Sequence, residues 1–143
     1  MTRTKRSYRQ CSVLYARRLS RLLTARYDAA LRPLDLRTTQ FHLLAVVTDF
    51  QPISITQTAQ ILATERSTLS RNAEKLAERG LLSVEPGTGR ERLLRMTDAG
   101  ATLFDQGREV WRDVQSEVEA LVGPDLMAAF EEVVERWVER LRE

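Results

Sequence analysis

The side chains with the clearest chemical potential lie between Ser54 and Arg92, and their chemistry is hydrogen bonding and charge pairing rather than bond making. Ser54, Thr56 and Gln57 are followed by Thr64, Arg66, Ser67, Thr68, Ser70, Arg71, Asn72 and Lys75, and then by Arg90 and Arg92. At about 100° per residue, Ser67 and Arg71 fall on one side of a helix with Thr68 and Lys75 beside them, while Leu69, Ala73 and Leu76 occupy the opposite arc. Short hydroxyl side chains allow close approach to a groove. Arg71 is long enough to pair with guanine O6 and N7 at once, and Arg90 suits a narrow, electronegative minor groove or the phosphates beside it. The plainer alternative is an ordinary solvated face with a hairpin packed beneath it.

The elements that must position these residues follow without a gap. Ser54-Ile55-Thr56-Gln57 has the spacing of a capping box, which predicts a helix from about Ile55 that stops at Ala63-Thr64. Thr64 is expected to cap a second helix over Glu65 to Arg79, closed by Gly80 at its C-terminus. Leu81 to Glu85 and Arg90 to Met96 read as strands joined by Pro86-Gly87-Thr88-Gly89, and Thr97 as the cap of the next helix. Two short helices, a tight break and an arginine-bearing hairpin make a winged helix-turn-helix, so double-stranded DNA is the expected partner.

The run from Glu65 to Asn72, then Glu78-Arg79-Gly80-Leu81-Leu82, then Leu94-Arg95-Met96-Thr97-Asp98-Ala99-Gly100 resembles the MarR-type transcriptional regulators, as does Leu36-Arg37-Thr38-Thr39-Gln40-Phe41 before it. The resemblance extends from about Cys11 onward. It implies a mostly α fold with a small β-hairpin wing: a winged lobe over residues 34–100 and dimerisation helices over 7–32 and 101–143, in one domain spanning 1–143. It further implies a homodimeric repressor on pseudo-palindromic DNA, with an effector pocket between the dimerisation helices and the lobe. Tyr27, Phe41, His42 and Trp111 are the residues expected to line it. Family wings carry Asp-x-Arg at the tip; here Thr88-Gly89-Arg90 retains the arginine without the carboxylate that orients it.

Composition fits this expectation: 143 residues, 43% hydrophobic and 29% charged, suffice for one ordinary core. The net charge of +2 is unevenly placed. Residues 1–50 carry +7, residues 51–100 carry +1 and residues 101–143 carry −6, which keeps the acidic end away from phosphates and lets it complement the basic end. Met1 to Arg6 reads as a basic arm. Tyr8 to Leu31 reads as the first helix and Thr39 to Thr48 as an apolar one. Two further helices are divided by Gly123-Pro124, the last with an apolar stripe from Leu126 to Leu141.

One cysteine and one histidine exclude a disulfide framework and a soft-metal site within a chain. No metal or other cofactor is expected. With no long apolar run or signal-peptide pattern, the expected location is the cytoplasm. Cys11, with Arg9, Arg17 and Arg18 nearby, supports an alternative input: a thiol oxidised by organic peroxides, as in the OhrR-like sensors that the segment Cys11 to Ala16 resembles. A third alternative is a helical dimer or adaptor that binds no DNA. Paired carboxylates, a nucleophile elbow, a phosphate loop and a Cys/His pair are all missing, so no enzyme is expected.

Overall fold

Caps and turns set the element boundaries in the middle of the chain, and the computed structural model, which describes residues 8–142, shows how. The basic arm expected over Met1 to Arg6 lies outside the described residues. The order is α1 (Ser12–Leu31), α2 (Thr38–Phe50), β1 (Ile53–Ser54), α3 (Ile55–Ile61), α4 (Arg66–Glu78), β2 (Leu82–Pro86), β3 (Arg92–Met96), α5 (Asp98–Val122) and α6 (Pro124–Arg142). The first helix starts later than the periodicity predicts. Tyr8–Gln10 form a 3-10 turn, and Cys11 adopts extended backbone angles of −73° and 124°, which place it outside the helix as its N-cap.

The expected capping box at α3 is present: Ser54 Oγ accepts from the Gln57 amide at 3.0 Å, and Gln57 Oε1 accepts from the Ser54 amide at 3.3 Å. Thr64 does not cap α4. Ala63 takes a left-handed conformation with φ of 49°, the Thr64 amide closes back on the Ala59 carbonyl at 3.0 Å, and Glu65 becomes the N-cap without a side-chain bond. Leu69, Ala73 and Leu76 are buried, as their spacing predicts. Gly80, with φ of 73°, ends the helix in the backbone region where a side chain is strained.

The wing is part of a three-stranded antiparallel sheet in the order β1-β3-β2 rather than a free hairpin. β1 is only two residues long, too short for alternation to reveal; it exists because Ile53 pairs with Leu94 and Ser54 with Leu93. Arg90 and Glu91 belong to the turn, not to the strand. At the other end of the sheet, Thr97 joins three elements. Its hydroxyl donates to the Gly80 carbonyl at 2.6 Å and accepts from the Gly100 amide at 3.0 Å, while its own amide bonds the Leu81 carbonyl at 3.3 Å. A Cβ on Gly100 would lie 1.9 Å from the Leu81 carbonyl oxygen, so only glycine lets α5 approach the sheet this closely.

The core gathers Leu43, Leu44 and Val47 of α2 with Leu31, Leu76 and Leu94, all at 0% exposure. α2 starts on a remote partner: Asp28 Oδ1 accepts from both the amide and the hydroxyl of Thr38, each at 2.7 Å. Gly123 and Pro124 divide α5 from α6 as expected. α6, however, buries none of its residues. Phe130, Val133, Val134, Trp137 and Leu141 stay exposed, as do Val13, Leu14, Leu19 and Leu22 on α1. Among the described residues, no helix is long and apolar enough to cross a membrane.

Candidate nucleic-acid interface and adjoining cleft

Burying Leu69, Ala73 and Leu76 turns the opposite side of α4 outward, and Arg66, Ser67, Thr68, Arg71 and Lys75 are all exposed there. Arg71 Nη2 lies 3.4 Å from Thr68 Oγ1, a weak contact across one helical turn. Thr56 and Gln57 on α3 are exposed as well. Other expected contacts lie elsewhere. Ser54 is buried and holds the cap of α3; Ser70 is half-buried. Thr64 and Asn72, also half-buried, line a groove of about 230 Å³ between α4 and α2, which the exposed Thr68 borders as well.

The three arginines of the wing, alike in sequence, separate in space. Arg90 is exposed at the tip. Arg92 reaches back to Glu74 of α4 at 3.2 Å, and Arg95 pairs with Glu85 across the hairpin at 3.0 Å. Arg92 therefore ties the wing to α4 through a half-exposed ion pair, whereas Arg90 has no such tie to α4. The tip that carries Arg90 lacks an orienting carboxylate at position 88, yet it is closed by backbone bonds: Gly87 amide to Glu91 carbonyl at 2.7 Å and Glu91 amide to Thr88 carbonyl at 3.2 Å. The C-terminal end of α4 has its own tether. Arg79 donates to the Asp35 carbonyl at 2.7 Å, its guanidinium stands 3.7 Å from the Asp35 carboxylate, and Asp35 takes a left-handed turn at φ of 51°. Sequence reasoning missed this tether because its partners lie 44 residues apart.

Behind the lobe, α1, α2, α5 and α6 enclose a cleft of about 440 Å³. Tyr27, His42 and Trp111 line it. Phe41 does not, although the family resemblance implies it: one residue before His42 on α2 it points about 100° away, into the core, where it stacks on Phe104 with ring centroids 5.4 Å apart. The lining also includes Ser20, Thr24, Thr38 and Gln115, which the sequence did not single out. Tyr27 Oη donates to Gln115 Oε1, and burial followed by the charge of Glu119 raises its pKa. His42 keeps one side open to water, yet partial desolvation lowers its pKa and favours the uncharged ring. The same ring borders the smaller groove beside Thr64, Thr68 and Asn72.

No family model matches the sequence, and no curated protein matches it. Solved structures do. The Mycobacterium tuberculosis transcriptional regulator MosR is 30% identical, with a TM-score of 0.81 over 94% of this chain and 99% of that one. MosR in complex with DNA is 32% identical, with a TM-score of 0.79 over 94% and 100%. A Rhodococcus regulator of the MarR family shares the fold at 16% identity, with a TM-score of 0.80 over 92% and 94%. Bordetella bronchiseptica BpsR, whose DNA binding is regulated by 6-hydroxynicotinic acid, shares it at 18%, with a TM-score of 0.85 over 95% and 99%.

Two helices, an outward polar face and a sheet-borne wing define a winged helix-turn-helix, the fold of a DNA-binding transcriptional regulator. The chain belongs to the MarR family of these regulators, not to a class of enzymes.

Proposed function

We propose that this regulator is a homodimeric, cytoplasmic repressor that grips a pseudo-palindromic operator and lets go when a small aromatic or lipophilic effector fills the cleft beside Tyr27, His42 and Trp111. The observation that carries the DNA-binding mode is the outward face of α4, with Ser67, Thr68, Arg71 and Lys75 exposed and the Arg90 tip beside it. In this mode α4 enters the major groove, Arg71 reads a guanine, and Arg90 holds the backbone or the adjoining minor groove. Two copies pair through α1 and α6, whose apolar stripes stay exposed among the described residues, and set the two α4 helices about one helical turn of DNA apart. Residues 34–100 then act as the DNA-binding lobe and residues 7–32 and 101–143 as the dimerisation layer. Release needs the effector to favour one spacing of the α4 helices over the other. His42, which borders both the cleft and the groove behind α4, is the contact through which occupancy reaches the reading helix.

The test is operator binding across a salt series, with Arg71→Ala beside the natural protein. Log affinity falls by roughly 0.9 per neutralised phosphate as log salt rises. Arg71→Ala costs about 1–3 kcal/mol at one base position while the melting temperature holds. Unchanged operator affinity in Arg71→Ala removes the assigned reading role.

A second input has its own observation. Cys11 is exposed and stands at the start of α1, open to oxidation. If it is the sensor, peroxide releases the natural protein from DNA and leaves Cys11→Ser bound.

A further inference from the structure

The elbow between α1 and α2 meets the C-terminal half of α4 around a recess of about 590 Å³, whose wall carries Arg32, Arg37, Lys75 and Arg79. Asp28, Asp35 and Glu78 share that wall. Two of these carboxylates are already engaged: Asp28 accepts from the amide and the hydroxyl of Thr38, and Asp35 stands 3.7 Å from the Arg79 guanidinium. Among the described residues, Arg32, Arg37, Lys75 and Glu78 have no ion pair. Uncommitted cations therefore outnumber uncommitted acids in this recess.

Its place beside α4 says what those cations can meet. At about 100° per residue, Lys75 lies about 40° to one side of Arg71 and Glu74 about 60° to the other. Glu74 holds Arg92 of the wing at 3.2 Å, so the wing and the elbow flank the Arg71 face on opposite sides. A helix seated in a major groove about 12 Å wide has a sugar-phosphate strand along each rim. With a rise of about 1.5 Å per residue, Lys75 and Arg79 stand about 6 and 12 Å along the axis from Arg71, which suits a rim rather than the base edges. The wall holds no aromatic ring on which a base could stack. Guanidinium and ammonium groups without such a ring suit phosphate oxygens.

We propose that the elbow is a phosphate clamp, in which Arg32, Arg37 and Lys75 grip the DNA strand on the rim opposite the wing. The clamp rests on the DNA-binding mode proposed above, and it adds Arg32 and Arg37, which lie outside both the helix-turn-helix and the wing.

The experiment measures binding of the full-length protein to a duplex enriched from a random-sequence pool, across a salt series. Arg32→Gln and Arg37→Gln each lower the slope of log affinity against log salt by roughly 0.9, the share of one phosphate, and leave base preference unchanged. Arg37→Lys keeps the slope because the charge stays. Glu78→Gln, which removes the uncommitted acid, tightens binding about threefold at low salt. Arg112→Gln, an equal loss of charge on α5 outside the recess, keeps the natural slope; an equal fall there would trace the effect to net charge and overturn the clamp. Natural slopes in both Arg32→Gln and Arg37→Gln also overturn it, while a base-specific loss in Arg71→Ala leaves the DNA-binding mode standing. If Arg71→Ala binds as the natural protein does, that mode falls and takes the clamp with it. Titration with inorganic pyrophosphate separates a small phosphate compound from the DNA strand: micromolar binding that Arg37→Gln abolishes would assign the recess to a free anion and overturn the clamp.

Discussion

The winged lobe and the α1–α6 layer are both built from amphipathic segments, yet one closes on itself and the other does not. In the lobe, most of the apolar surface finds cover inside the chain, Phe50 and Ile61 being exposed exceptions: Leu69, Ala73 and Leu76 of α4 meet the core that Leu43, Leu44, Val47 and Leu94 complete. In the outer layer, α6 leaves seven large apolar side chains exposed from Leu126 to Leu141 and buries none. A stripe of that length left in water costs what an ordinary helix gains by packing. The contrast teaches that the lobe's structure is specified within the chain, whereas the outer layer leaves its apolar stripe open to the second copy proposed above.

The strongest way to break the comparison is a cavity in the lobe. Leu76→Ala removes a side chain with 0% exposure and costs about 2–5 kcal/mol, read as a shifted denaturant midpoint. A cost below about 1 kcal/mol would mean that the lobe core is loosely held. Trp137→Glu probes the other region. It leaves the fold's circular dichroism unchanged but weakens association by about 2 kcal/mol or more, as sedimentation at graded concentration would show. A variant that dimerises as tightly as the natural protein would mean that Trp137 lies outside the contact. The smallest effect belongs to Arg92→Ala. Losing the half-exposed pair with Glu74 costs under about 1 kcal/mol of stability, and it frees the wing to move relative to α4, seen as faster amide exchange in β3. Loss of DNA binding larger than that of Arg71→Ala would show that Arg92 touches DNA after all.

What was legible in the sequence divides along the same line. The capping box of Ser54 and Gln57, the C-terminal Gly80, the Thr97 cap and the Gly123-Pro124 break are local patterns, and each appears where it was expected. The features that were missed depend on distant partners. β1 exists only through its pairing with β3, Asp28 caps a helix that begins ten residues later, and Arg79 reaches Asp35 across the fold. Thr64 was misplaced by a single residue, because the left-handed turn at Ala63 leaves no mark in an alanine side chain. Within the candidate interface, composition could not distinguish Arg90, Arg92 and Arg95. Only the positions of Glu74 and Glu85 separate them. Phe41 and His42 show how fine the division is, since a single step along α2 decides whether an aromatic ring joins the core or the cleft wall.

The shared position of His42 has a mechanical corollary. One imidazole forms part of the boundary of two spaces, the larger cleft on one side and the narrow groove under Thr68 and Asn72 on the other. Neither space can change shape at that boundary without the other changing too. In the release mechanism proposed above, rotation of this single ring would act as a rocker between the cleft and α4, and a side chain too short to fill the boundary would leave the two compartments to respond independently.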